Sequence, residues 1–214
     1  MAVRPKDEAE LQKREAIGVI RASRFVRKHA RSHDPITIGT VCEIHREIFN
    51  EAWPEIAGVY RLENLEITDS AHHPPHFSEV PNLMAGAQSE LQVRLDEIKR
   101  AQGLIQDGRE EESVMDAVDH VVRVAAWLHH LVTFVHPFRE GNGRTARLAA
   151  NLILEHYGLV GLSIKVEQQN KNAYRKALSQ IDQYQDYEPL VELIYDGLLD
   201  RYSGVAMKYY DLPR

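Results

Sequence analysis

The sequence is almost without cysteine. Cys42 is its only cysteine, so the chain can form neither an internal disulfide nor a thiolate metal cluster. It has no apolar run of membrane-spanning length, and its first residues lead into charged sequence rather than an apolar signal region. We therefore expect a protein of the reducing cytoplasm with no membrane contact, although a secretion signal of another kind, and delivery into another cell, stay open.

An excess of positive charge is also missing. The formal net charge is -6 and the sequence pI is about 6.0. Proteins that bind nucleic acid or anionic membranes depend on an excess of Lys and Arg, so neither is expected as a partner. The 214 residues, 43% of them hydrophobic, can bury one substantial core.

Apolar residues recur at three- and four-residue steps along most of the chain, which is typical of amphipathic helices. A change of pattern at 59–67 indicates extended chain, perhaps a small hairpin. Thr37, Ser78 and Asn170 are candidate N-caps. The sequence thus predicts a mainly α fold, with helices at about 7–30, 37–49, 78–98, 118–135, 144–157 and 170–181, and a last helix that ends near Gly204.

The segment 136–147, HPFREGNGRTAR, joins two of these predicted helices. Pro137 ends the first helix, because the residue before a proline is biased away from the helical region. Gly141 and Gly143 permit a tight turn whose backbone N–H groups, at the start of the next helix, form a nest for anions. This half of the segment predicts a phosphate-binding turn.

Charged and titratable side chains stand on both sides of that turn. Arg144 and Arg147 lie three residues apart in the first turns of the second helix, so their guanidinium groups share one side. Glu140 suits a divalent cation that bridges it to phosphate oxygens. His136 lies near the position of a reacting phosphorus, and the segment predicts a polyphosphate site with a base beside it.

These residues resemble the signature of the Fic (Fic/Doc, Fido-fold) family, His-x-Phe-x-Asp/Glu-Gly-Asn-Gly-Arg-x-x-Arg, at every fixed position. IHREIF at 44–49 and AGVYR at 57–61 are similar to the family's helix and to its entry into a flap hairpin. The resemblance implies a mainly α, single-domain helical fold with a small β-hairpin flap. We place an N-terminal helical segment at 1–35, the Fic domain at 36–204 and a C-terminal tail at 205–214.

The resemblance implies a protein adenylyltransferase, a nucleotidyltransferase that moves AMP from ATP to a Ser, Thr or Tyr hydroxyl of a target protein. His136 then matches the general base, Glu140 the ligand of Mg²⁺, and Phe138 an anchor that fixes the loop. The residues matched to the nucleotide phosphates are Gly141, Asn142, Gly143, Arg144 and Arg147. Tyr174 is a candidate wall of the adenine pocket. The flap residues expected to align the target are Tyr60, Arg61, Glu63 and Leu65.

Other functions stay open at this point. The signature recognises phosphates rather than bases, so another nucleotide or diphosphate donor is possible, and a non-catalytic nucleotide-binding domain is a third reading. The histidines at 72, 73 and 76, or 129, 130 and 136, could suggest a transition-metal site, but no cysteine or paired-carboxylate spacing supports one.

Regulation is predicted from an absence. The family's inhibitory helix carries Ser/Thr-x-x-x-Glu-Gly/Asn, whose Glu pairs with the second arginine of the signature, here Arg147. No clean copy occurs, because Leu11 stands where Ser or Thr would precede Glu15. We expect restraint by a separate antitoxin-like partner or by assembly, with Glu15 in a diverged helix as the alternative.

Overall fold

The computed structural model describes residues 3–32, 34–67, 72–106, 111–162 and 168–209. The helices in these residues are α1 (Glu8–Ser32), α2 (Ile38–Phe49), α3 (Val80–Gln106), α4 (Glu111–Val135), α5 (Asn142–His156), α6 (Gln168–Tyr184) and α7 (Glu188–Tyr209). Two short 3₁₀ turns, Pro54–Ile56 and Phe77–Glu79, lie between α2 and α3. None of these helices is both long and apolar enough to cross a bilayer. The mainly α fold predicted from the sequence is confirmed.

The centre of the fold is the pair of helices that flanks the signature segment. α4 packs along α5, α3 covers α4 from one side, and α6 and α7 also pack on α4. Leu128 of α4 and Leu152, Ile153 and Leu154 of α5 are fully buried. The loop 136–141 is therefore fixed at the end of the most extensively packed helix pair.

α2 begins as the sequence predicts. Thr37 is its N-cap: the Thr37 hydroxyl accepts a hydrogen bond from the backbone N–H of Thr40, and the Thr40 hydroxyl accepts one from the N–H of Thr37. The predicted inward residues Val41, Ile44 and Ile48 are all buried. This helix, α2, is capped, has its inward face buried and packs beneath the signature loop.

α1 crosses α2 and α5 at close range. A Cβ atom added at Gly18 would lie 1.9 Å from the carbonyl oxygen of Ile48, so only glycine permits this approach. The contact brings Glu15, one turn earlier on α1, to the mouth of the signature loop.

Neither 59–67, where the sequence predicts extended chain, nor 72–76 forms a strand, so the predicted hairpin is not observed in these residues. We call these two segments the arms of the flap. Pro74 and Pro75 of the second arm have no N–H to donate to a ladder. Instead of ladder hydrogen bonds, the Arg61 guanidinium donates hydrogen bonds to the carbonyl oxygens of Glu63 and Pro75. Residues 68–71, between these two segments, lie outside the described residues.

Several predicted helix ends differ from the structure. Ser78 is not an N-cap: His76 caps the 3₁₀ turn with its ring nitrogen, the Glu79 carboxylate accepts from the His76 N–H, and α3 starts only at Val80. Asn170 lies inside α6, and α7 continues past Gly204 to Tyr209. The division into 1–35, 36–204 and 205–214 stays a prediction, with 205–209 helical and 210–214 outside the described residues.

Candidate active site

His136 stands at the end of α4 in an unusual backbone conformation. Its φ is +50°, in the left-handed region that non-glycine residues rarely adopt, while its N–H still bonds the Val132 carbonyl at 3.1 Å. The imidazole Nδ1 lies 3.3 Å from the carbonyl oxygen of Thr133. Because a carbonyl only accepts, Nδ1 carries the proton in this contact, and Nε2 is left with its lone pair.

The protonation of His136 is biased towards the neutral imidazole. Burial is the main cause that lowers its pKa, and the positive charge of Arg61 and the neighbouring His72 lower it further. The Thr133 bond and the Glu140 carboxylate act in the opposite direction. A neutral His136 with an accepting Nε2 has the form that a general base requires.

The signature loop is closed on itself by Asn142. The Asn142 Oδ1 accepts from the Phe138 N–H at 2.9 Å, and the Asn142 Nδ2 donates to the Phe138 carbonyl at 2.7 Å. Asn142 was expected to offer its amide to phosphate, but both ends of the amide are taken by the loop. Phe138 is fully buried, in line with its expected role as an anchor.

His45 of α2 supports the same loop from below. Its Nδ1 accepts from the Gly58 N–H at 2.9 Å, so Nε2 is the protonated nitrogen and donates to the Glu140 carbonyl at 3.0 Å. The ring stacks on Phe138 with centroids 3.9 Å apart. Burial lowers the pKa of His45 to about 4, which keeps this bridging tautomer neutral.

Gly141 begins α5 in a conformation that suits glycine. Its φ is +75°, and a Cβ atom there would lie 2.3 Å from Cε2 of Phe49. This close approach turns the chain so that α5, which starts at Asn142, presents its first N–H groups beside Gly143. The geometry agrees with the predicted anion nest at a helix N-terminus.

Two carboxylates hold Arg144. Its guanidinium makes a short ion pair with Glu15 of α1, and a second contact at 3.2 Å with Oε1 of Glu140. The Glu140 Oε1 also accepts from the Gly141 N–H at 2.9 Å. Glu15 thus pairs with the first arginine of the signature, Arg144. The alternative given from the sequence expected it to pair with the second, Arg147.

Arg147 differs from Arg144 in having no carboxylate partner in the part of the chain that the structure describes. Burial lowers its pKa, which reflects a positive charge that has lost water without gaining an opposite charge. The ring of Tyr174 lies near it, and the Tyr174 hydroxyl is 3.3 Å from Nε2 of the buried His129. Arg147 is therefore the cation of this site that is best suited to bind an anion. A contact between Tyr174 and adenine stays a prediction.

The predicted flap residues separate into different environments. Tyr60 packs near Phe138 and bonds the Cys42 thiol, and Leu65 is half-buried. Glu63 is half-exposed and pairs with Arg139 at 2.7 Å. Tyr60, Glu63 and Leu65 therefore stay predicted target contacts.

Arg61 does not fit its expected role as a target contact. Only 2% of it is exposed, and its guanidinium is committed to backbone carbonyls of the chain itself. Sequence reasoning assigned no role to His45. For His45 a signal existed, since it is a polar residue on the inward face of an otherwise apolar helix.

Comparisons with known proteins agree with this geometry. The profile described as the Fic/DOC family matches residues 35–154. The protein adenylyltransferase Fic of Nematostella vectensis is 28% identical over 185 residues, which are 86% of this chain and 38% of the relative. The protein adenylyltransferase fic-1 of Caenorhabditis elegans is 29% identical over 201 residues, 91% of this chain and 34% of the relative.

A solved structure extends the comparison to the fold. Fic-1 from Caenorhabditis elegans superposes with a TM-score of 0.62 at 25% identity, over 99% of this chain and 56% of that chain. The chain thus spans 38% and 34% of the length of the two curated relatives.

Proposed function

The chain belongs to the Fic/DOC family, and we propose that it is a protein adenylyltransferase. It transfers AMP from ATP to a Ser, Thr or Tyr hydroxyl of a target protein and releases pyrophosphate. The observation that carries the proposal is that His136, with an accepting Nε2, lies at the start of the loop that leads into α5. α5 carries Arg147, a cation with no carboxylate partner in the described residues. A pure nucleotide-binding module needs the cation but not the base.

The reaction divides between these groups. His136 Nε2 takes the proton of the target hydroxyl, whose oxygen bonds the α-phosphorus of ATP while the bond to pyrophosphate breaks. Arg144 and Arg147 face the β- and γ-phosphates, and the N-terminus of α5 with Gly143 supplies backbone donors. Catalysis then consists of positioning, stabilisation of charge and one proton transfer.

The Glu140 carboxylate fits a magnesium ion shared with a nucleotide. It is half-exposed, and its contacts with Arg144 and with the Gly141 N–H are made by Oε1. Magnesium commonly binds one or two carboxylates together with substrate phosphates. When bound, the ion would neutralise the charge that develops on the leaving pyrophosphate.

The test uses ATP labelled at either the α- or the γ-phosphate, incubated with the purified protein and a lysate. We expect label from the α-phosphate on protein and none from the γ-phosphate. UTP and GTP labelled at the α-phosphate serve as the arms for another donor. Transfer of the γ label would indicate a kinase instead.

The base is tested by His136→Ala in the same assay. The rate should fall by about two to four orders of magnitude, the usual contribution of a general base. Calorimetric binding of ATP should persist, because the hydrogen bond of the His136 side chain is to the backbone of α4 and the substitution leaves the phosphate-binding groups in place. A variant that transfers AMP near the native rate would remove His136 from the mechanism.

Restraint of the activity has two candidate sources. A separate antitoxin-like partner remains the prediction from the sequence. The ion pair between Glu15 and Arg144 favours an internal restraint, because a carboxylate already occupies a guanidinium assigned to phosphate. Self-modification by the isolated protein separates the two, since an internal restraint keeps it low without any partner.

A further inference from the structure

Arg61 is a buried cation whose partners are main-chain carbonyls. Its Nε donates to the His136 carbonyl at 2.8 Å. The terminal nitrogens donate to the carbonyls of Glu63 at 2.9 Å and Pro75 at 2.6 Å, and a longer contact of 3.4 Å reaches Val135. One side chain thus joins both arms of the flap to the end of α4.

The backbone of Arg61 adds a further link. Its N–H donates to the Pro137 carbonyl at 2.9 Å, so main chain and side chain together hold the two residues His136 and Pro137. No carboxylate pairs with this guanidinium in the described residues, and burial lowers its pKa. A desolvated cation is costly unless its donors are satisfied, and here the carbonyls satisfy them.

The conformation of His136 requires such a support. A φ of +50° is strained at a non-glycine residue and persists only when the surroundings impose it. Arg61 bonds the carbonyl of that residue and of the next one, on the main chain that carries the imidazole. The same guanidinium fixes Glu63, which is one of the predicted target contacts, and Pro75.

We propose that Arg61 is the positioning residue that sets the register between the flap and His136, so that a hydroxyl aligned on the flap lies within reach of Nε2. The inference rests on the proposed adenylyl transfer. Arg61 touches neither nucleotide nor target; it acts through the backbone of His136 and of the flap. Lysine cannot replace it, because a single ammonium group cannot reproduce the planar fork that spans these carbonyls.

The test compares Arg61→Lys and Arg61→Met with wild type in self-modification from ATP labelled at the α-phosphate. At saturating ATP we expect Arg61→Lys to lower the rate by about tenfold to a hundredfold, as small misplacements of a reacting group do, and Arg61→Met to lower it at least as much. The KM for ATP should stay within about twofold, because the phosphate-binding groups are untouched. Arg94→Lys, at an exposed ion pair on α3, is the matched control and should keep the wild-type rate.

The pH profile separates positioning from general damage to the fold. Arg61 lowers the pKa of His136, so its loss in Arg61→Met should move the acidic limb of the rate to higher pH. Arg61→Lys keeps the charge and should leave the limb in place while still losing rate. The other groups near the imidazole, His72 and Glu140, are unchanged in both variants.

The outcomes are distinct. A wild-type rate in Arg61→Lys, or a loss confined to the KM for ATP, overturns the positioning role. Should both variants fail to fold, NMR of the wild type decides: the Arg61 Nε proton must exchange slowly, and fast exchange overturns the proposal. If neither wild type nor Glu15→Gly, which removes the internal restraint, transfers label, the proposed function fails, while the exchange measurement still judges the Arg61 contact.

Discussion

His129 offers a prediction of how stability depends on pH. The residue is fully buried on α4, and its Nε2 is 3.3 Å from the Tyr174 hydroxyl. Within the described part of the chain its Nδ1 has no hydrogen-bond partner. Burial, together with the charges of Arg147 and His130, lowers the pKa of His129 to about 3 from 6.5. The native state therefore excludes the imidazolium, which the unfolded chain accepts.

The sign and size of the pH effect on the free energy of unfolding follow from this difference in pKa. Between the native and unfolded pKa values the unfolded chain binds more protons, so the free energy of unfolding rises with pH through this window and is fully present above about pH 6.5. With 1.36 kcal/mol for each pKa unit, the His129 contribution lost between pH 8 and pH 5 is roughly 2 kcal/mol. A domain of ordinary stability would register that loss clearly.

The assay is urea unfolding of wild type and His129→Gln at pH 8 and pH 5. Glutamine cannot titrate but can still bond the Tyr174 hydroxyl, so the variant should lose about 2 kcal/mol less than wild type on acidification. Other histidines contribute equally to both proteins and cancel. Tyr174→Phe is the control, since it removes the hydroxyl but keeps the titrating ring and should retain the wild-type loss. Equal losses in wild type and His129→Gln would refute the reasoning.

Three further outcomes are expected. Glu15→Gly should raise self-modification by the isolated protein, whereas Glu10→Gly on the exposed face of α1 should not; a wild type that is already fully active would show that Glu15 restrains nothing. Gly18→Ala should lower the free energy of unfolding by about 1–3 kcal/mol, as overpacking does, measured by urea titration. Arg147→Ala should weaken ATP binding far more than adenosine binding in calorimetry; equal losses would assign Arg147 to the fold.

The parts of the fold that follow from sequence are those with strict periodicity and local capping. α2 is an example, because the Thr37 hydroxyl and three inward aliphatic residues are all contained in one short segment. α6 and α7 were predicted to exist, but their ends were misplaced: Gly204 is compatible with a helix end, yet α7 continues past it. Glycine only weakens a helix, so it marks an end less reliably than proline does.

The site was predictable where residue type alone determines the role. Gly141 must be glycine because its φ is positive and because Phe49 lies too close for a Cβ atom. The place of His136 follows from the end of α4 alone. Arg61 could not be predicted as buried, because an arginine near a loop is ordinarily at the surface. Its burial depends on carbonyls at 63, 75 and 136, which only the folded chain brings together.

The position of α1 explains how one weak ion pair could compete with a triphosphate for the same arginine. The Glu15 and Arg144 side chains remain 14% and 26% exposed, and one such ion pair near solvent stabilises by about 0–1 kcal/mol. A triphosphate, with several negative charges, would displace a mobile carboxylate from this arginine. Glu15 is not mobile, because the approach of Gly18 to Ile48 fixes α1 against α2. A restraint by Glu15 would therefore act through helix packing, and we predict that loosening that packing raises self-modification even with Glu15 intact.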